Sequence, residues 1–300
     1  MCGHRGSPVK EPENTIESME IALKDGANSL EFDLCITKDN EIVLWHDWDP
    51  NNTISFIREN GLEPFVKCKP SYPPLYNDLR KSVNELTLEE FKANYNYKIK
   101  ESGELAKVNI PTLKDFFEWS KNKNDLLYAS LDLKIPPENA ELVIPFSDCL
   151  KELLEKYKPK FKIVIETTYH EVLKILKEQN LNCAISLDIE PPAGFIFLPR
   201  LYGSINAAIK NHNTFAIALR PTKITIGNWI THRRIINYDV GRRFAFNKKN
   251  PENKIEYLMS CTVNKPNELK CLAKLGIGGV QTDYPERLIE IVEKLGRKTK

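Results

Sequence analysis

From residue 126 onward, apolar runs of strand length alternate with stretches that carry a helical apolar face, and this alternation is the strongest constraint the sequence places on its fold. Strand-helix units of this kind pack as a parallel sheet covered by helices. Candidate strands span 126–133, 161–166, 183–187, 214–219, 255–263 and 278–282, with helices such as 138–157 and 169–179 between them. A further strand at 29–34 and a stub at 1–3 bring the number to eight. Eight such units in 300 residues suit one α/β domain of the (β/α)8 TIM barrel class, spanning 1–300. The stub is shorter than an ordinary strand, as if the chain were processed, truncated or excised before Met1.

Between the second and third of these strands the alternation breaks. Residues 49–107 are rich in Pro, Asn, Lys and Tyr, with one short helix expected at Thr87-Leu-Glu-Glu-Phe91. This segment reads as an insertion over the barrel mouth. Before it, residues 12–27 carry a helical apolar face through Ile16, Met19, Ile21, Ala22 and Leu23 that stops at Gly26.

The strand Ser29-Leu-Glu-Phe-Asp-Leu34 places Leu30, Phe32 and Leu34 on one face and Glu31 and Asp33 on the other. In a barrel the apolar face packs under helices, so the two acids face inward. Two neighbouring inward carboxylates repel each other unless a cation binds them or one takes a proton. A hairpin follows, and a two-residue turn at Asp39-Asn40 would set His46 opposite Asp33, with Cβ atoms about 5 Å apart. A longer loop would shift the register yet keep His46 near the acids. Asp132 and Lys134 repeat the two-residue spacing in Tyr128-Ala-Ser-Leu-Asp-Leu-Lys134. Asp132 is a third candidate ligand and Lys134 a candidate for neutralising an anionic substrate. An all-oxygen set suits one divalent cation, Mg²⁺ or Ca²⁺, and the lack of clustered His and Cys argues against zinc.

Charge and cysteine usage narrow the function classes. The 43 basic and 41 acidic side chains nearly cancel, so no overall field marks a nucleic-acid binder. The seven cysteines are scattered and odd in number, which reads as buried thiols in a reducing compartment. No apolar run reaches the length of about 18 residues needed for a membrane span, and no secretory leader precedes His4, so the default location is the cytoplasm.

The order His4-Arg5-Gly6, Pro12-Glu13-Asn14-Thr15, Gly26-Ala27, Glu31-x-Asp33, Thr37-x-Asp39 and His46-Asp47 resembles the signature of the glycerophosphodiester phosphodiesterase family. Ile110-Pro-Thr-Leu113, Asp132-x-Lys134, Thr262-Val-Asn264 and Gly278-Gly-Val-Gln-Thr-Asp-Tyr-Pro285 resemble its later segments, so the likeness covers nearly the whole chain. The resemblance implies a phosphoric diester hydrolase with a small-molecule glycerophosphodiester as its substrate. Glu31, Asp33 and Asp132 would hold the cation, His4 and His46 would act as base and acid, and Arg5 and Lys134 would hold the phosphate. The implied reaction begins with attack by the neighbouring glycerol hydroxyl, passes through a cyclic phosphate and ends in glycerol 3-phosphate and an alcohol. Two departures stand out: Asp132 occupies a position where the family usually has Glu, and Cys261 one where Trp is common.

Two other classes of function remain in view. A phospholipase-D-like lyase of the sphingomyelinase D type, acting on choline lysolipids or sphingomyelin, would share both histidines and stop at the cyclic phosphate. An apolar loop at the mouth would favour it, and residues 49–107 read as more polar than that. A barrel that binds phosphodiesters without turning them over would have no need of two proton-transfer groups. His170, His212 and His232 match nothing and read as surface or helix residues. Trp229, Tyr202 and Arg220 are candidates for the mouth, with core packing or plain exposure as the alternatives. Gly276-Ile-Gly-Gly279 reads as a turn into the last strand, and Ser186 has no adjacent histidine that would make it a nucleophile.

Overall fold

Burial on both faces defines the strand that carries the acid pair. All of Ser29–Ile36 is buried, with Leu30, Phe32 and Leu34 in the hydrophobic core and Glu31 and Asp33 on the alternate positions. The computed structural model describes residues 1–189, 203–219 and 228–296. Tyr202, Arg220 and the side chain of Trp229 lie outside the described residues.

Along the chain, β1 is Cys2–His4, α1 Ile16–Lys24, β2 Ser29–Ile36 and β3 Ile42–Leu44. The 49–107 segment supplies α2 (Thr53–Glu59), β4 (Cys68–Ser71), α3 (Leu88–Asn94) and β5 (Asn96–Ile99). Then follow α4 (Leu113–Ser120), β6 (Tyr128–Leu133), α5 (Val143–Tyr157), β7 (Lys162–Thr167), α6 (His170–Glu178) and β8 (Ala184–Leu187). The last part contributes α7 (Ser204–Lys210), β9 (Phe215–Leu219), α8 (Asn228–Lys249), β10 (Tyr257–Cys261), α9 (Pro266–Leu275), β11 (Gly279–Thr282) and α10 (Pro285–Lys294).

Eight strands form one parallel ring in the order β8-β7-β6-β2-β1-β11-β10-β9, and β8 and β9 are in contact where it closes. This is the expected (β/α)8 barrel. The strands fall within or up to two residues beyond the expected runs, and the N-terminal stub lies at Cys2–His4 rather than 1–3. Short as it is, β1 pairs with β2 on one side and β11 on the other, so its end has a fixed place in the ring.

The hairpin register differs from expectation by one residue. Leu34 pairs with Leu44 and Ile36 with Ile42, and Thr37 and Glu41 close a three-residue loop in which Asn40 takes a positive φ of 63°. Such loops are a turn followed by a left-handed residue, a conformation Asn tolerates. Trp45 therefore stands opposite Asp33, its N–H donating to the Asp33 carbonyl at 3.0 Å, and His46 falls one step beyond. Trp45 is fully buried against Tyr72, Phe91, Tyr95 and Tyr97, which ties the 49–107 segment to the barrel.

Within that segment the expected helix forms at Leu88–Asn94, capped by Thr87 and Glu90 in a capping box. The segment also holds α2 and the antiparallel β4–β5 ribbon, which its irregular composition did not announce. Its surface is less polar than expected: Ile54, Phe56, Leu62 and Phe65 each stand more than half exposed.

Candidate active site

Parallel register assembles the site. His4 pairs with Glu31 across β1 and β2, and Asp33 pairs with Asp132 across β2 and β6. Directly paired residues in a sheet share a face, so all four side chains point to the same side. Ligand oxygens of Glu31, Asp33 and Asp132 come within 4.8 Å of one another. Lys134 Nζ bridges the second and third, 2.9 Å from Asp33 Oδ1 and 2.6 Å from Asp132 Oδ2.

Arg5 follows β1 with a positive φ of 50°. Its backbone N–H donates to Glu31 Oε2 at 2.9 Å, and its guanidinium lies 3.0 Å from Asp33 Oδ2, 2.9 Å from Glu13 Oε2 and 3.1 Å from Glu63 Oε1. Asn14, fully buried and also at positive φ, grips Asp33 twice: Nδ2 donates to Oδ2 at 2.8 Å, and Oδ1 accepts the Asp33 N–H at 3.1 Å.

The environments of the two acids on β2 diverge. Burial opposes charge on Asp33, but Lys134 and Arg5 overcome it and hold the carboxyl well below its ordinary range. Among the described residues the side-chain cation facing Glu31 is His4, with Nε2 3.9 Å from Oε2. Burial pushes Glu31 up to about 8, with Asp33 and Glu166 adding to the rise against the opposing pull of His4.

Each histidine is held through Nδ1 by an aspartate. His4 Nδ1 lies 2.7 Å from Asp283 Oδ1, and His46 Nδ1 lies 2.6 Å from Asp47 Oδ1. In each ring this contact leaves Nε2 for other work, and His4 Nε2 is 3.9 Å from Glu31 Oε2. Asp47 is itself tied by Arg58 Nε at 3.0 Å and by the Tyr72 hydroxyl. The surroundings move the two rings in opposite directions. Burial disfavours charge on His4, yet the Glu31 and Asp283 carboxylates outweigh it and raise its affinity for a proton. At His46 burial acts with the Arg5 and Arg58 guanidiniums to lower it.

All seven residues singled out in the sequence (His4, Arg5, Glu31, Asp33, His46, Asp132 and Lys134) therefore lie at one end of the barrel. His170 and His212 are exposed, while His232 is a fully buried helix residue whose Nε2 lies 2.7 Å from the Ser260 hydroxyl. The Ser186 hydroxyl donates to Asp188 at 2.8 Å, so it serves a buried acid.

Several groups escaped the sequence reading. Arg58 and Glu63 come from the 49–107 segment and join Glu13, Arg5 and Asp47 in one ion network. Glu166, paired with Asp132 across β6 and β7, accepts from Gln281 Nε2 at 3.1 Å and from the Ser130 hydroxyl. Burial and neighbouring Asp188 raise it well above the carboxylate range. The alternation of Val164 and Glu166 on an apolar strand was a signal for it; Arg58 and Glu63 had none.

The glycerophosphoryl diester phosphodiesterase family matches residues 4–287. A glycerophosphodiester phosphodiesterase of Caldanaerobacter subterraneus is 26% identical over 296 residues, covering 99% of this chain and 98% of that protein. Human lysophospholipase D GDPD1 is 27% identical over 295 residues, covering 95% and 83%. Among solved structures, an Oleispira antarctica phosphodiesterase in complex with the product sn-glycerol-3-phosphate superposes with a TM-score of 0.63 at 16% identity, over 97% of this chain and 96% of that one. A glycerophosphodiester phosphodiesterase of Thermotoga maritima gives a TM-score of 0.60 at 20% identity, again over 97% and 96%. At these identities the solved structures establish a shared barrel.

Proposed function

This chain belongs to the glycerophosphoryl diester phosphodiesterase family, and from that premise we propose how its residues divide the work. It is a phosphoric diester hydrolase that cleaves glycerophosphodiesters to glycerol 3-phosphate and an alcohol. The observation that carries the division of labour is the pair of aspartate-held imidazoles beside a three-carboxylate cluster.

Glu31, Asp33 and Asp132 would hold one divalent cation. The fit rests on three carboxylates with oxygens inside 4.8 Å and on Glu31, whose burial beside other acids favours a proton or an ion over a bare charge. An oxygen-only donor set points to Mg²⁺ or Ca²⁺. When bound, the ion neutralises charge that grows on the phosphoryl oxygens. Arg5 and Lys134 bind the same phosphate, as cations aimed where that charge develops.

The two histidines move the protons. The environments favour His46, kept neutral by burial and two guanidiniums, as the base that takes the proton of the attacking glycerol hydroxyl. His4, kept protonated by Glu31 and Asp283, gives a proton to the leaving alkoxide. Asp47 and Asp283 fix each ring so that Nε2 faces the reacting oxygens. In the second half the roles reverse: His4 takes a proton from water as it opens the cyclic phosphate.

Among the described residues no helix is long and apolar enough to cross a membrane. The seven free cysteines support a reducing compartment such as the cytoplasm.

The test is release of glycerol 3-phosphate from glycerophosphocholine and glycerophosphoethanolamine with Mg²⁺, Ca²⁺ or a chelator, for wild type and His46→Ala. Cation-dependent release that the variant loses is the expected outcome. A cyclic phosphate that persists in the phosphorus NMR spectrum would instead identify a lyase. Binding without any turnover would identify a non-catalytic barrel.

A further inference from the structure

Seven of the thirteen large apolar side chains that stand exposed among the described residues fall between Ile54 and Tyr76. Exposed apolar residues scattered singly need no explanation, but a concentration of this kind marks an interaction surface. Ile54, Phe56 and Ile57 belong to α2, whose buried residues are Ser55 and Arg58. Leu62 and Phe65 follow in the loop that leaves this helix and are 68% and 62% exposed.

The same loop is attached to the site. Glu63, between those two residues, pairs with both Arg5 and Arg58. The Phe65 ring meets Tyr284 edge-on at 6.4 Å, one residue beyond the Asp283 that holds His4. The apolar lip therefore begins where the cations proposed for phosphate binding end.

Beside the lip lies a basic ribbon. Lys69 of β4 and Lys98 of β5 stand directly opposite each other, and the Lys69 and Lys100 side chains flank Gly61, immediately before Leu62. Like charges directly opposed on a ribbon are destabilising, and neither Lys69 nor Lys98 has an ion-pair partner among the described residues. An anionic surface outside the molecule would relieve that repulsion. Apolar side chains rimmed by lysines match the acyl and headgroup layers of an anionic lipid interface.

We propose that the lip from Ile54 to Phe65, with the Lys69–Lys98 ribbon beside it, docks on an anionic lipid surface and so places the mouth of the barrel against that surface.

Vesicles of phosphatidylcholine with phosphatidylserine should sediment the wild-type protein more strongly than vesicles of phosphatidylcholine alone. Phe56→Ser combined with Leu62→Ser changes two exposed positions and should weaken that association at least about tenfold, as expected from the apolar area withdrawn. Lys69→Glu with Lys98→Glu should abolish the preference for anionic vesicles. Turnover of water-soluble glycerophosphocholine should stay unchanged in both variants. A wild type that binds neither vesicle, or a Phe56→Ser/Leu62→Ser protein that binds and acts like wild type, overturns the proposal. So does a wild-type dimer that this variant splits without any vesicle binding, because the lip would then face a second copy. A wild type with no soluble turnover would overturn the hydrolase reading, and vesicle binding, read by sedimentation, would still decide whether the lip docks on lipid.

Discussion

Asp283 reaches His4 where the first and last strands of the barrel pair: its Oδ1 lies 2.7 Å from His4 Nδ1, although 279 positions separate the two residues. The contact exists because β1 pairs with both β2 and β11. Asp283 is held in turn by Asn264, which accepts its N–H at 2.9 Å and donates to its second oxygen. An asparagine at 283 would keep the shape but remove the charge that favours a protonated His4. Asp283→Asn is expected to lower kcat by about 10²–10⁴, the range associated with a mispositioned proton-transfer group, with little change in KM. Equal kcat in the two proteins would remove His4 from the proton-transfer scheme.

The opposite displacement of the two rings predicts a bell-shaped pH profile. As the proposed base, His46 must be neutral; its affinity for protons is lowered, so the acid limb of kcat/KM should lie below the ordinary histidine value of 6.5. As the proposed acid, His4 must be charged; its affinity is raised, so the alkaline limb should lie above 6.5. Arg58→Gln removes one of the charges that lowers His46 and should move the acid limb upward while leaving the alkaline limb in place. A profile with a single limb would mean that only one histidine titrates in the reaction.

How far the site was legible depends on how each residue is held. Glu31, Asp33, Asp132 and Lys134 could be read because strand alternation fixes a face without knowledge of the partner. The hairpin was legible in kind, but its register depended on Asn40 adopting a positive φ, a local choice that two-residue and three-residue loops share in sequence. His46 stayed near the acids because it lies beyond the last ladder pair, where a shift of one residue moves it little. Arg58 and Glu63 were illegible. They reach the site through the packing of α2 on the β4–β5 ribbon, and no periodicity encodes where an irregular segment will place an ion pair. Phe56 and Leu62 were hidden by averaging, since a segment polar in composition can still gather its apolar side chains at one lip.

Glu63 pairs with the guanidinium proposed to bind the phosphate. Arg5 already faces Glu13, Asp33 and Glu63, and of these three carboxylates Glu63 is the most exposed, at 25% against 4% and 1%. A phosphate bound by Arg5 as proposed would displace one of them from the guanidinium, and the exposed one is the easiest to move. Glu63→Gln should therefore lower KM for glycerophosphocholine by about two- to fivefold, the worth of one partly exposed ion pair, and leave kcat nearly unchanged. A higher KM would show that Glu63 helps to orient Arg5 instead of competing for it.

The buried acids predict how stability depends on pH before any ion is added. Burial with neighbouring Asp33 lifts Glu31 from an ordinary 4.5 to about 8, and burial with neighbouring Asp132 lifts Asp188 from 3.8 to about 7. Between their ordinary and raised values the folded chain keeps protons that the unfolded chain has released. Stability falls wherever the native state binds more protons, so the metal-free protein should lose stability as pH rises from about 4 to about 8. A divalent ion at Glu31 replaces the proton there and should reverse much of this loss, with a stabilisation that grows as pH rises because binding releases that proton. Calorimetric Tm values at about pH 5.5 and about pH 8, with a chelator or with Mg²⁺ or Ca²⁺, give the comparison. Glu31→Gln should flatten the pH dependence and weaken the response to the ion together. If the variant keeps the ion response in full, the cation does not sit on Glu31, and the proposed ligand set fails at that residue.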